Sequence, residues 1–356
     1  MITARENILM AYRHEKPYWV PSQTTDQNTC IPSALEEGPT GLGVTEDGWG
    51  VHWLLEPGQP GPMPDESFQR LTDITEWKES LVFPDVEKYD WEAAAAKDTA
   101  NWDRENKISS VILVNGMFER MHALMGMEDA LCAFITDPEE TFELLSAIAD
   151  HKITYLKKIA QYYKPDKIQF HDDYGSVSRT LMSPETWREF IRPNLQKVVD
   201  ACHELGMIYE HHSCGFIAPL VGDLVEMGVD AWNPVQLTNG PEELLKKYAG
   251  KFTFVGGFDN LNVLDRPSAT YQERYDSIMD TLKTLSPYGS WVGQPAMIDM
   301  AIAEPLVDAL YEFNKPLMEK VGVTPVAPQK KSYKSAYERA DSEDAIEDLK
   351  NKKNFK

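Results

Sequence analysis

Short apolar, β-branched runs alternate along the chain with longer stretches whose apolar residues recur every three or four positions. The short runs predict strands at YWVPSQTT (18–25), SSVILVNG (109–116), KIQFHDD (167–173), MIYEHHSC (207–214), DAWNPV (230–235), FTFVGG (252–257) and SWVGQPAM (290–297). Between them, PEETFELLSAIADHKITYLKKIAQYY and SPETWREFIRPNLQKVVDACHELG carry the helical period. The second has signals at both ends: Ser183 as N-cap, Pro184 in the first position and Gly206 closing it. This rhythm predicts an α/β fold, a (β/α)8 TIM barrel whose remaining strand lies within the irregular segment 45–60; a doubly wound sheet is the runner-up. No G-x-G-x-x-G or Walker-type loop follows any strand, so a nucleotide crevice has little support.

Composition narrows the setting. The 356 residues are 42% hydrophobic and 26% charged, enough to bury a large core. A single barrel domain is expected over 1–325, with an irregular lid or insertion near 40–100 and a charged tail over 326–356. No apolar run approaches the roughly 20 residues of a membrane span, and the N-terminal MITARENILMAYRHEK lacks the apolar centre of a signal peptide. A cytoplasmic protein without a membrane partner is expected. A formal charge of −22 repels phosphate backbones, which argues against nucleic acid. Cys30, Cys132, Cys202 and Cys214 show no framework spacing, pointing to reduced thiols or metal ligation.

In a barrel, chemistry sits at the C-terminal strand ends, and polar residues concentrate there. One strand ends in His171, Asp172, Asp173 and Tyr174; the next reads YEHHSCG; then come Asn233 and Gln236, Asp259 and Asn260, and Gln294. Burying such groups unpaired costs about 1–3 kcal/mol each, so five such endings together point to a site. Side chains alternate along a strand, placing Glu210, His212 and Cys214 on one face and His211 and Ser213 on the other. His212 and Cys214 lie about 6–7 Å apart by backbone rise, which one metal ion bridges. They form a candidate zinc half-site, with Glu210 a third ligand or an acid/base and His211 a supporting residue.

The motifs VNGMFERMHALMG, FHDDYGS followed by LMSPETWREFIRPN, HSCGFIAPLVGDLVEMGVDAWNPVQ, and FVGGFDN together resemble the uroporphyrinogen decarboxylase superfamily over roughly 1–325, in particular its corrinoid-dependent methyltransferase branch. The resemblance implies a (β/α)8 barrel. The decarboxylases hold their polycarboxylated substrate with an arginine-rich segment after the first strand; here that segment reads PSQTTDQNTCIPSALEEGP, without arginine. The zinc-dependent methyltransferases bind metal through a His-x-Cys pair, matched by His212 and Cys214, and a later cysteine that has no counterpart after Cys214. Glu210 or one of His171, Asp172 and Asp173 is expected to complete a mixed site.

The resemblance implies the methyltransferase I component of an O-demethylase system. It would demethylate a methoxylated aromatic compound and pass the methyl group to the cob(I)alamin of a separate corrinoid protein, with zinc assisting. A methylcobalamin:thiol methyltransferase, a metal-free decarboxylase-like enzyme and a non-catalytic binding role are the alternatives. Cobalamin is expected on the partner, since no D-x-H-x-x-G signature occurs. Trp19, Met117, Phe118, Tyr174, Trp232 and Phe258 are expected to enclose the donor, and Asn115, Asn233, Gln236, Asp259 and Gln294 to orient it. The segment 46–68 reads as a lid or docking surface, and a homodimer is left open.

Overall fold

Seven parallel strands follow one another in strict chain order in the computed structural model, which describes residues 2–39, 41–56, 61–296 and 300–328. They are β1 (Gln27–Cys30), β5 (Ile108–Leu113), β6 (Lys167–His171), β7 (Ile208–His212), β8 (Ala231–Val235), β9 (Thr253–Gly256) and β10 (Trp291–Val292). Helices cross between consecutive strands, as parallel pairing requires. The sheet curls toward its own start: Gly293 N–H donates to Pro21 O at 2.8 Å, so the extended stretch before β1 meets the last strand. The expected first strand, 18–25, carries no ladder: Gln23–Asp26 form a helical turn, and β1 lies beyond it at Gln27–Cys30.

Segment 45–60 does not supply a further parallel strand. Its described residues join β2 (Gly43–Glu46), β3 (His52–Leu55) and β4 (Met63–Pro64) in a separate antiparallel sheet. The hairpin turn explains this: Asp47 Oδ1 accepts the N–H groups of Trp49 and Val51 at 2.9 and 3.0 Å, and Gly50 takes φ +79°. A strand does lie within 45–60, but it pairs inside its own hairpin.

The N-terminal helix Ala4–Tyr12 begins with a capping box between Thr3 and Glu6. Its Ile8, Leu9, Ala11 and Tyr12 pack on Ile108, Ala231, Val255 and Val292, near the N-terminal ends of the strands. That end of the sheet is sealed. The long helix Pro138–Tyr162 is continuous, whereas the expected helix after Ser183 widens to a π-turn at Trp187–Ile191. Pro193, lacking an N–H and crowding the carbonyl four residues back, accounts for that widening. No described helix is long and apolar enough to cross a membrane. Met297, from the last expected strand, and 329–356 of the expected tail lie outside the described residues.

A buried ionic cluster fixes the antiparallel sheet to the barrel. Arg120 donates to Asp47 Oδ2 and Glu37 Oε2, both at 2.6 Å, and Lys152 Nζ reaches Glu37 Oε2 at 2.7 Å. Trp49 Nε1 donates to the remaining oxygen of Glu37, Oε1, at 2.9 Å, and Trp53 Nε1 shares Asp47 Oδ2 with Arg120 at 2.8 Å. Burial alone would raise the Glu37 carboxyl, but the charges of Lys152 and Arg120 outweigh it and bring the pKa down to about 2.

Candidate active site

The sheet register stacks inward-facing polar residues in layers. Gln169 stands beside Glu210, His171 beside His212, and His212 beside Asn233. Lys167, Gln169 and His171 share one face of β6, as Glu210 and His212 do on β7. Glu210 lies in the deepest layer and is fully engaged: Lys167 Nζ sits 2.8 Å from Oε1, Tyr12 donates to Oε2 at 2.6 Å, and Gln23 Nε2 reaches both oxygens at 3.0 Å. Burial lowers the Lys167 pKa and raises that of Tyr12.

One layer up, Asn233 Oδ1 lies 2.8 Å from His212 Nδ1 and also accepts from Gln169 Nε2 at 3.1 Å. With the proton on Nδ1 directed at that acceptor, the Nε2 lone pair of His212 faces the mouth. There it meets Cys214 Sγ at 3.5 Å and Asp173 Oδ1 at 3.9 Å. The ligand atoms of Asp173, His212 and Cys214 all lie within 4.8 Å of one another. Bonds of about 2.0–2.3 Å to a tetrahedral ion need donors roughly 3.3–3.8 Å apart, so this nitrogen, sulfur and oxygen set fits zinc with little closing. Burial, with the Asp173 and Glu119 carboxylates, raises the Cys214 thiol pKa, and metal binding would displace its proton.

Backbone contact sets the spacing of the loops that carry this trio. A Cβ on Gly215 would lie 2.3 Å from the Gly175 carbonyl carbon, and one on Gly175 would lie 2.6 Å from Cys214 O. Phe216 N–H donates to Ser176 O at 2.7 Å, and Cys214 N–H to Asp173 Oδ1 at 2.7 Å. Gly215 N–H is in turn held by Gln236 Oε1 at 2.9 Å.

The neighbouring residues divide into two groups. His171 stacks face to face on His212 with ring centroids 3.8 Å apart; burial, then the charges of His212 and His211, push its pKa well down. Its Nε2 is buried and unpartnered. Asp172 points the other way, into the layer between sheet and helices, where it caps the helix Met117–Met125. Its carboxylate accepts the N–H groups of Met117, Phe118 and Glu119 at 3.1, 3.3 and 2.8 Å, and the Tyr174 hydroxyl at 2.7 Å. Burial still lifts its pKa to about 6 against those donors.

Trp19, Met117, Phe118, Tyr174, Trp232 and Phe258 all lie in the core, at most 5% exposed. Trp232 Nε1 donates to Ser213 O at 2.9 Å, so it props the loop leading to Cys214. Asn115 donates to Glu37 O and Asp259 caps Asn262 N–H at 3.1 Å. Gln294 Oε1 accepts from Ser22 Oγ at 2.7 Å and Thr24 N–H at 2.8 Å.

Sequence reasoning passed over Glu119 and Gln169. An acid in the first turn of a helix reads as a dipole partner, yet Glu119 stands beside Asp173. Burial, then Asp173 and Asp172, raise its pKa well above the carboxylate range. Gln169 was accessible by alternation, two residues before His171 on the same face.

A family model described as Uroporphyrinogen decarboxylase (URO-D) matches residues 79–293. A search of the curated proteins finds no match. Among solved structures, the chain is similar to a methyltransferase from Methanosarcina mazei at a TM-score of 0.67 and 15% identity, over 88% of this chain and 99% of that one. At that identity the likeness speaks for the fold alone.

Proposed function

From the premise that the chain belongs to the uroporphyrinogen decarboxylase family, we propose that it is a methyltransferase which demethylates a methoxylated aromatic compound and passes the methyl group to the cob(I)alamin of a separate corrinoid protein. The observation that carries this reading is the convergence of Asp173, His212 and Cys214 at the mouth. The fold shared with a protein named as a methyltransferase points the same way. An arginine-free stretch over 21–39, where a polycarboxylate would need cations, weighs against a uroporphyrinogen substrate.

Asp173, His212 and Cys214 would hold the zinc ion, leaving a position open as catalytic sites do. When bound, zinc supplies Lewis acidity toward an ether oxygen. Asn233 Oδ1, itself held by Gln169 Nε2, is the acceptor that favours the His212 proton on Nδ1, and His171 covers one face of the His212 ring. The corrinoid protein would act as the nucleophilic methyl acceptor, while the C–O electron pair would leave on the ether oxygen and take up a proton from solvent to complete the phenol. We assign this activity to a single cytoplasmic domain over 1–325.

Elemental analysis of the purified protein tests the reading. About one zinc per chain, lost in His212→Ala, Cys214→Ala and Asp173→Ala, is the expected result, followed by methyl release from methoxyarenes with a reduced corrinoid protein. Protein that takes up no metal when incubated with zinc would overturn the metal-assisted reading. The decarboxylase-like alternative would then come forward.

A further inference from the structure

Segment 46–68, read from its sequence as a lid or docking surface, contributes most of the three-stranded antiparallel sheet, and that sheet has two unlike faces. Trp53 and Leu55 of β3 point inward and are at most 6% exposed. Alternation turns His52 and Leu54 outward. Register then sets Val44 of β2 and Met63 of β4 on either side of Leu54, and both are more than half exposed. A cross-strand apolar row, Val44–Leu54–Met63, therefore faces solvent on a sheet that the Arg120–Asp47 pair ties to the barrel.

The next row is anionic. Glu46 lies opposite His52, its Oε2 3.5 Å from His52 Nε2, and on the β4 side Asp65 N–H donates to His52 O at 2.8 Å. Phe68, 40% exposed, stacks on the His52 ring with centroids 3.8 Å apart. From Gly41 to Gln69 the sequence has no lysine or arginine, whereas Glu46, Glu56, Asp65 and Glu66 all fall within it. The next cation, Arg70, is turned to Ser80 O. The face thus offers apolar contact edged by carboxylates. A second copy carries the same edge, so a two-fold pair would bring acid to acid. A partner whose apolar side chains are flanked by lysine or arginine is complementary to it.

This sheet is anchored at the C-terminal ends of the parallel strands. It follows β1 at that end, Asn115 beyond β5 donates to Glu37 O, and Arg120 in the next helix binds Asp47. Asp173, His212 and Cys214 lie at the same ends of β6 and β7. A methyl acceptor carried on a protein has to arrive on this side. Resting on the methyl-transfer reading, we infer that the outward row Val44–Leu54–Met63, with Glu46, Asp65 and Phe68, docks the corrinoid protein through an apolar patch edged by lysine or arginine.

The double variant Val44→Lys, Met63→Lys tests this, since both side chains are exposed and the buried face stays as it is. Binding of a reduced corrinoid protein is measured by surface plasmon resonance, and methyl release from a methoxyarene is followed with that protein and with free cob(I)alamin as acceptors. The expected result is at least tenfold weaker binding and a matching rise in KM for the corrinoid protein, with zinc content and transfer to free cob(I)alamin unchanged. Binding to the unaltered enzyme should also weaken as salt rises. Binding that the two substitutions leave unchanged overturns the inference and leaves methyl transfer standing. A dimer that they dissociate in sedimentation, with corrinoid-protein binding intact, assigns the face to a second copy and overturns the inference too. Weakened binding with no methyl release to either acceptor supports the docking face and overturns methyl transfer.

Discussion

Two polar clusters stand within a few turns of each other and obey opposite rules. In the first, Glu37, Asp47, Arg120 and Lys152 are buried, balanced in charge and joined by bonds of 2.6–2.7 Å. In the second, Asp173, His212 and Cys214 turn their ligand atoms toward one another with no cation among the described residues to settle them. The first cluster is complete without any visitor. The second leaves a lone pair, a thiol and a carboxylate aimed at a common point. Buried polarity alone therefore does not mark a functional site; what distinguishes the second cluster is that metal-ligating atoms converge without a balancing charge among the described residues.

Breaking the complete cluster should give the largest effect. Arg120→Met leaves Glu37 and Asp47 buried with too little positive charge, and a loss of about 3–5 kcal/mol in urea unfolding is expected. A loss below about 1 kcal/mol would mean that water reaches the cluster and that the two regions differ less than their geometry suggests.

Acid should distinguish them next. The folded pKa of Glu37 is depressed to about 2 from an ordinary 4.5, so its contribution is complete above the unfolded value and is lost as pH falls from 4.5 through 2. That leg is on the order of 3 kcal/mol in unfolding free energy and should be much reduced in the Arg120→Met protein. An unchanged acid leg would place its origin elsewhere.

The smallest effect sharpens the other side of the comparison. Asn233→Ala removes the acceptor that fixes the His212 proton on Nδ1, and zinc affinity should fall about 10–100-fold. Competition against a chromogenic chelator reads this directly. An affinity equal to that of the unaltered protein would show that His212 needs no such hold.

The fold was legible because its strands and helices carry different patterns, and six of the seven parallel strands overlap the apolar runs that predict them, β1 lying just beyond its run. The exceptions are local. Gln23–Asp26 turns where an unbroken strand was read, and β3 pairs inside its own hairpin through the Asp47 turn. In the site, the pairing of His212 with Cys214 was legible because it needs only i, i+2 spacing. Glu210 shares their face by the same rule but lies one layer deeper with Lys167, a contact set by strand register. Nor does sequence tell Asp172 from Asp173, adjacent acids at a strand end whose orientation depends on the helix cap at Met117–Glu119.

That last pair has a consequence for how this region can change over time. Asp172 closes a helix and Asp173 faces the mouth, and besides the cap at Met117–Glu119 the count of residues from Lys167 assigns these duties. Losing or gaining one residue there would exchange the two acids, sending the mouth's carboxylate into the helix layer and the helix's carboxylate into the mouth. The segment 167–173 can accept altered side chains at several positions, but its length is held fixed, as the teeth of a gear fix its phase.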